Sequence, residues 1–172
     1  MKVKEGEELA SARKRQGLTQ QQLSFKLPIS RESIAKYETG RQGFPKDLRS
    51  ITAEAIDDEE YYFVRWNESA GDVSIPYLNG EFVEHHPTSM MLLVKRESAE
   101  ALDHLERACW FKPVQAQTES EREEMKRVVF EVLDAAASMI NLVALITKEY
   151  RFSMVQIFKQ WRLTLKARRL QK

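Results

Sequence analysis

Ser30, Arg31, Glu32, Ser33 and Lys36 place two cations, one carboxylate and two hydroxyls within seven consecutive residues. An arginine fork suits a paired acceptor edge, a carboxylate accepts from an amino group, and a short hydroxyl serves either role. These are the donors and acceptors that match base edges in a DNA major groove. Thr19, Gln20, Arg41 and Lys46 add hydroxyl, amide and cationic donors of the kind that hold phosphate oxygens whatever the sequence. No comparable grouping points to catalysis. Glu84-His85-His86 holds adjacent histidines, but neighbouring side chains point in different directions and seldom ligate one metal without further partners. His104 follows Asp103 on an expected helix, no HExxH occurs, and the single Cys109 excludes an internal disulfide or a cysteine-rich zinc site. No enzyme, cofactor or metal is expected.

The elements that must position these residues lie between Leu18 and Gly40, which reads as two short helices joined by a tight turn. Thr19 can cap the first, over Gln20 to Lys26, and Ser30 the second, over Arg31 to Thr39, each by accepting from an amide that lacks an intrahelical partner. Ile34 and Tyr37 share one face of the second helix, and Gly40 stops it. The inward set is Leu18, Leu23, Leu27, Ile34 and Tyr37. A helix sealed on one side and polar on the other has the shape that enters a major groove.

Leu9, Arg13, Gly17-Leu18-Thr19-Gln20, Leu23, Ile29-Ser30-Arg31, Ile34, Tyr37-Glu38-Thr39-Gly40 and Pro45 together resemble the Cro/C1 (XRE-type) helix-turn-helix family of regulators, over roughly Glu7 to Ile56. The resemblance implies a lambda-repressor-like domain in which Ser30, Arg31, Glu32, Ser33 and Lys36 meet bases and Thr19, Gln20, Arg41 and Lys46 meet phosphates. It also implies a structural ion pair between Arg13 and Glu38 that ties the first helix to the recognition helix. Pro28 departs from the pattern, which usually has a small residue there; its ring excludes a left-handed turn residue. Ser24 is still compact where the family places a small residue.

Charge is unevenly spread. Residues 1–56 carry 11 Lys/Arg against 7 Asp/Glu, residues 57–110 carry 4 against 12, and residues 111–172 carry 12 against 7, so basic ends flank an acidic middle within a net charge of +1. The basic first segment suits phosphate contact. No secretory signal is visible, and the apolar run Ala135 to Ile146, interrupted by Ser138 and Asn141, is read as too short to span a bilayer of about 20 residues. A cytoplasmic protein without membrane contact is the expectation.

Along the chain, Glu7 to Gln16 predicts a first helix with Leu9 and Ala12 inward, its basic end suiting the helix dipole. Pro45 predicts the start of a helix to about Ile56, with Leu48, Ile51 and Ala55 inward. Asp57-Asp58-Glu59-Glu60 marks a charge boundary, and the aromatic-rich Tyr61 to Trp66 after it suits helix or strand, with an Asp-capped helix favoured. Ser69 to Val83 reads as loop with a hairpin about Asn79-Gly80. Pro87 to Trp110 reads as helix, divided near Glu97-Ser98, with Leu102, Leu105 and Cys109 on one face. Thr118-Glu121 is a capping box opening a long helix to about Lys148. Its apolar stripe is Met125, Val128, Val129, Val132, Ala136, Met139, Ile140, Val143 and Ile146, widened by Leu133, Leu142 and Leu145. Ser153 caps a last helix with Ile157, Phe158, Trp161 and Leu165 inward. From Met154 to Lys172 there are six basic residues and no acidic one. A solvated face, docking on the acidic middle, and a second DNA contact all remain open for them.

The expected architecture is all-α: a helix-turn-helix domain over residues 1–57 and a helical oligomerisation or partner-binding domain over residues 58–172. Segment Pro76 to Gly80 and the later helix pair loosely resemble larger regulators of this type, which favours one regulator over a fusion with an enzyme. The expected function is a sequence-specific transcriptional regulator of double-stranded DNA, in the form of a homodimeric repressor, because one helix reads too few base pairs. The alternative is an antitoxin or immunity-type interaction protein whose carboxyl-terminal helices bind another protein, with the motif autoregulatory.

Overall fold

The computed structural model describes residues 2–172, with side chains from Lys4 onward. Among the described residues it is all-helical: α1 Lys2–Arg15, α2 Gln20–Lys26, α3 Arg31–Glu38, α4 Leu48–Ile56, α5 Glu59–Ala70, α6 Pro87–Arg107, α7 Glu119–Glu149 and α8 Met154–Ala167, with a 3-10 turn at Val114–Ala116. Two compact units result, one from the residues up to Ser74 with Thr147–Lys172, the other Ile75–Ile146. Compactness does not divide at residue 57, since α5 and α8 lie in the same unit as the motif helices.

In the first unit Leu9, Ala12, Leu23, Leu27, Ile34, Tyr37, Phe44, Ala53, Ile56 and Tyr61 form one core. Full burial of Leu9, Leu23 and Ile34 contributes about 1.5–3 kcal/mol each, more than any surface ion pair. Leu18 is only half-buried. Helix α1 begins at Lys2, earlier than the sequence predicts, and α4 begins at Leu48. Pro45 does not open α4: the amides of Leu48 and Arg49 bond back to the carbonyls of Pro45 and Lys46 at 3.2 and 3.3 Å, making a separate turn. Helix α4 turns Thr52, Ala53 and Ile56 inward, while Ile51 is exposed. Its small residues permit a closer approach than the larger apolar ones would.

The charge boundary is no break in packing. Arg15 grips Asp58 with Nε to Oδ2 at 2.9 Å and Nη2 to Oδ1 at 2.5 Å, and Asp58 Oδ1 accepts from the Tyr61 amide at 2.9 Å, so one carboxylate caps α5 and ties it to α1. Beside it Glu59 is buried, and burial pushes its carboxyl above the ordinary 4.5, more than its own backbone hydrogen bond lowers it. A carboxyl with a raised folded value binds its proton more tightly in the native state. Stability therefore falls as pH rises from about 4.5 through the folded value, and the full cost is present at neutrality. We expect Glu59→Gln to raise Tm by roughly 2–4 °C at pH 7 and to leave it unchanged in acid below the ordinary carboxylate range. Thermal melts at the two pH values check this; an equal gain at both would contradict it.

In the second unit α6 runs unbroken through Glu97-Ser98; Ser98 Oγ donates to the Val94 carbonyl at 2.6 Å without interrupting the helix. Its buried residues are Met90 and Ala101; Leu102 and Cys109 are exposed. No hairpin forms about Asn79-Gly80. The backbone groups that it would have paired turn to α7, where Asn141 donates to the Pro76 carbonyl and accepts from the Leu78 amide, both at 2.9 Å. Thr118 and Glu121 cap α7 reciprocally, and Lys112 with these bonds holds the Glu121 carboxyl down to about 2. Helix α7 buries Val128, Ala135, Ala137, Ser138, Asn141, Ala144 and Leu145 and exposes Val129, Val132, Leu133 and Met139 of the expected stripe. Among the described residues α7 is the one helix long and apolar enough to cross a bilayer by length and composition, which replaces the shorter run read from the sequence.

Candidate nucleic-acid interface

Two caps set the motif. Thr19 Oγ1 accepts from the Gln22 amide at 3.1 Å while Gln22 Oε1 accepts from the Thr19 amide at 2.8 Å, a reciprocal box at the start of α2. Ser30 Oγ accepts from the Ser33 amide at 3.2 Å at the start of α3. The turn between them uses no left-handed residue: Leu27 sits at φ −126, ψ 152 and Ser30 at φ −76, ψ 159. Pro28 is accommodated in an extended connection. The chain turns out of α3 at Gly40, beyond the Thr39 cap, where a φ of 69 is open to glycine and the amide bonds to the Tyr37 carbonyl at 3.0 Å.

Helix α3 has two unlike sides. Ile34 and Tyr37 are 1% and 6% exposed, with Tyr37 edge-on to Phe44 at 5.4 Å between ring centres. Arg31, Glu32 and Lys36 are exposed, and Ser33 and Ala35 are half-buried. At 100° per residue the exposed three fall within one arc of about 140°, and Ala35 lies inside that arc. Ala35 carries no polar group and is not among the expected base contacts; its spacing of four from Arg31 is what puts it on this arc. A methyl there is the apolar counterpart to a thymine methyl.

Arg31 contacts Glu32 at 3.3 Å, with the two side chains 51% and 64% exposed. The backbone amide at the helix start, the Ser30 hydroxyl and Arg31 together hold the Glu32 carboxyl below its ordinary range. It is an ionised acceptor beside a cationic donor. Water screens an exposed pair of this kind, so the guanidinium is held only weakly and is free to turn to another acceptor.

The residues assigned to phosphates divide. Thr19, Arg41 and Lys46 are exposed. Thr19 accepts with its oxygen, leaving its hydroxyl hydrogen to donate. Gln20 is drawn inward instead: Nε2 donates to Glu38 Oε2 at 2.8 Å. The reason is the anion beside it. Arg13 Nε donates to Glu38 Oε1 at 2.5 Å, Nη2 to Oε2 at 2.9 Å, and Nη1 to the Leu18 carbonyl at 2.6 Å. Three elements thus converge on one buried carboxylate.

The histidines of the second unit are each committed locally. His85 meets Tyr77, His86 Nδ1 accepts from the Thr88 amide at 3.3 Å and caps α6, and His104 meets Glu124 at 2.9 Å. The carboxylates of Glu97, Glu131 and Asp134 lie within 4.8 Å of one another, an arrangement that could hold a metal ion and that sequence spacing did not reveal. Glu97 already pairs with Arg96 at 2.7 Å.

No curated protein and no solved structure matches the chain. A family model described as a helix-turn-helix domain matches residues 6–56, the stretch from α1 through α4. The chain therefore carries a helix-turn-helix domain, the type of unit that binds DNA, followed by further helices.

Proposed function

We propose that this protein is a sequence-specific transcriptional regulator of the Cro/C1 (XRE) type, a cytoplasmic homodimeric repressor that reads the major groove with α3. The observation that carries the reading is the two-sided α3: capped by Ser30, sealed by Ile34 and Tyr37, and polar over Arg31, Glu32 and Lys36. In this reading Arg31 and Lys36 donate to base acceptors and Glu32 accepts from cytosine while repelling phosphate, with Ser30 and Ser33 at the groove edge. Thr19, Arg41 and Lys46 hold the backbone, joined by the helix amides at the starts of α2 and α3. Residues 1–57 do the reading, and the later helices supply the second copy that places two reading helices one DNA turn apart.

Footprinting by chromatin immunoprecipitation tests this directly; paired half-sites about 10 base pairs apart are expected. On such a site Arg31→Ala loses about 1–3 kcal/mol of discrimination between specific and random DNA, whereas Arg41→Ala weakens both alike. Equal loss on both sequences for Arg31→Ala would remove the base-contact assignment. One observation favours a second reading. Val129, Phe130, Val132, Leu133 and Met139 of α7 are exposed, an apolar surface that suits capture of another protein by an antitoxin or immunity component. A chain that aggregates alone and is rescued by a neighbouring gene's product supports that reading; a stable homodimer on its own promoter supports the first.

A further inference from the structure

We propose that α8 is a second DNA-contacting element, a cationic arm that holds the phosphate backbone beside the bases read by α3; this rests on the DNA-binding reading above. Helix α8 belongs to the compact unit that carries the motif. Its root is fixed there, with the Val155 amide donating to Asp57 Oδ1 and Lys159 Nζ to Glu54 Oε2, both at 3.1 Å. Lys26, the last residue of α2, donates to the neighbouring Ala55 carbonyl at 3.1 Å. The ends of α2 and α4 and the root of α8 therefore meet. From Lys26 only Leu27 to Ser30 intervene before α3, at most about 18 Å of extended chain, which is within reach of the phosphates that flank a major groove about 12 Å wide.

The charges on α8 are arranged, not scattered. Lys159, Arg162 and Lys166 recur at i, i+3 and i+7, which puts them within about 60° of arc on one flank, and Arg168, Arg169 and Lys172 continue the charge past the helix end. All six are exposed, and among the described residues only Lys159 has an acidic partner. Dipole compensation accounts for cations in the last turn but not for Lys159 and Arg162. Like charges at these spacings repel one another along the helix, and a polyanion relieves that repulsion. Anionic lipid is the competing polyanion, but a helix lying on a bilayer needs its apolar face outward. Here Met154 is buried and Phe158 and Leu165 are half-buried, while Ile157 and Trp161 of the expected inward set, and Leu163, are exposed; the root shared with the motif helices favours DNA, and the vesicle arm of the test below separates the two polyanions.

The test titrates the full chain and an Arg162→Gln/Lys166→Gln/Arg168→Gln/Arg169→Gln variant against a mixed-sequence duplex of about 40 base pairs between about 50 and 200 mM NaCl. The variant is expected to flatten the slope of log affinity against log salt by about 3–4 and to bind at least tenfold more weakly near 100 mM. The charge-preserving Arg162→Lys/Arg168→Lys/Arg169→Lys variant keeps the slope. If the fourfold change disturbs folding, Arg168→Gln/Arg169→Gln, outside the helix, reads the same quantity with an expected fall of about 2. An unchanged slope overturns the arm while leaving the α3 reading intact; failure of the unmodified chain to bind any duplex overturns both. Binding to phosphatidylserine vesicles that the fourfold variant loses, with DNA binding unmoved, replaces DNA by lipid and overturns the proposal.

Discussion

Glu38→Ala is expected to destabilise the motif-bearing unit by about 3–5 kcal/mol, a large part of the roughly 5–15 kcal/mol that holds a domain folded. The Arg13 and Glu38 side chains are 9% and 6% exposed, so both charges have been taken out of water. The Glu38 hydrogen bonds raise the Arg13 guanidinium above its already high ordinary value, and it does not escape by losing its proton. Without Glu38 it is a buried cation with one carbonyl, that of Leu18, as its partner, and the Gln20 amide loses its acceptor as well. Arg13→Ala should cost a similar amount by leaving the carboxylate with Gln20 alone. Replacing both by apolar residues, as in Arg13→Met/Glu38→Leu, should recover most of the loss, because desolvation nearly cancels the attraction within a buried pair. Urea unfolding of the three variants checks the series. A Glu38→Ala loss below about 1 kcal/mol would mean that water reaches the pair.

What could be read in the sequence, and what could not, follows from the range of the interactions. The caps at Thr19, Ser30, Asp58, Thr118 and Ser153 were legible because each is a bond between residues three apart. The exposure of Arg31, Glu32 and Lys36 was legible because helical periodicity alone sets it once Ile34 and Tyr37 face inward. Inward faces of α4 and α7 were misread for one shared reason. The apolar pattern rewards size, whereas these helices pack with Thr52 and Ala53 or with Ala135, Ser138 and Ala144. Long-range polar partners were out of reach. Asp58 is 43 residues from Arg15, and Leu78 is 63 from Asn141, and nothing local marks either pair. Gln20 shows the same limit inside the candidate site: its type and place at a helix start suit a phosphate, and nothing local marks its amide bond to Glu38, 18 residues away.

Gly6→Ala should carry the opposite sign from the one helix propensity predicts. Within a helix, exchanging an exposed glycine for alanine gains about 1 kcal/mol. Gly6 lies inside α1, yet it is buried where α1 crosses the end of α3, and a Cβ there would overlap the Tyr37 carbonyl oxygen and stand 2.8 Å from the Glu38 carbonyl oxygen. Both obstacles are backbone, held by α3 itself, so neither can rotate aside as a side-chain tip would. Helix α1 must retreat, at a cost of about 1–3 kcal/mol or more. Gly6 and Arg13 are seven residues apart, two turns along one face, so the retreat also loosens the fork on Glu38. The loss from Gly6→Ala combined with Glu38→Ala should then be smaller than the two single losses added together, since both act on the same junction. Ser11→Ala, on the exposed side of α1, is the matched control and should gain a few tenths of a kcal/mol from propensity alone. Because α3 is held at its carboxyl end by this junction, Gly6→Ala should also weaken DNA binding at temperatures where the chain is still folded. A rise in Tm for Gly6→Ala, matching the control in sign, would show that α1 does not pass α3 at backbone contact and that α3 is fixed by something else.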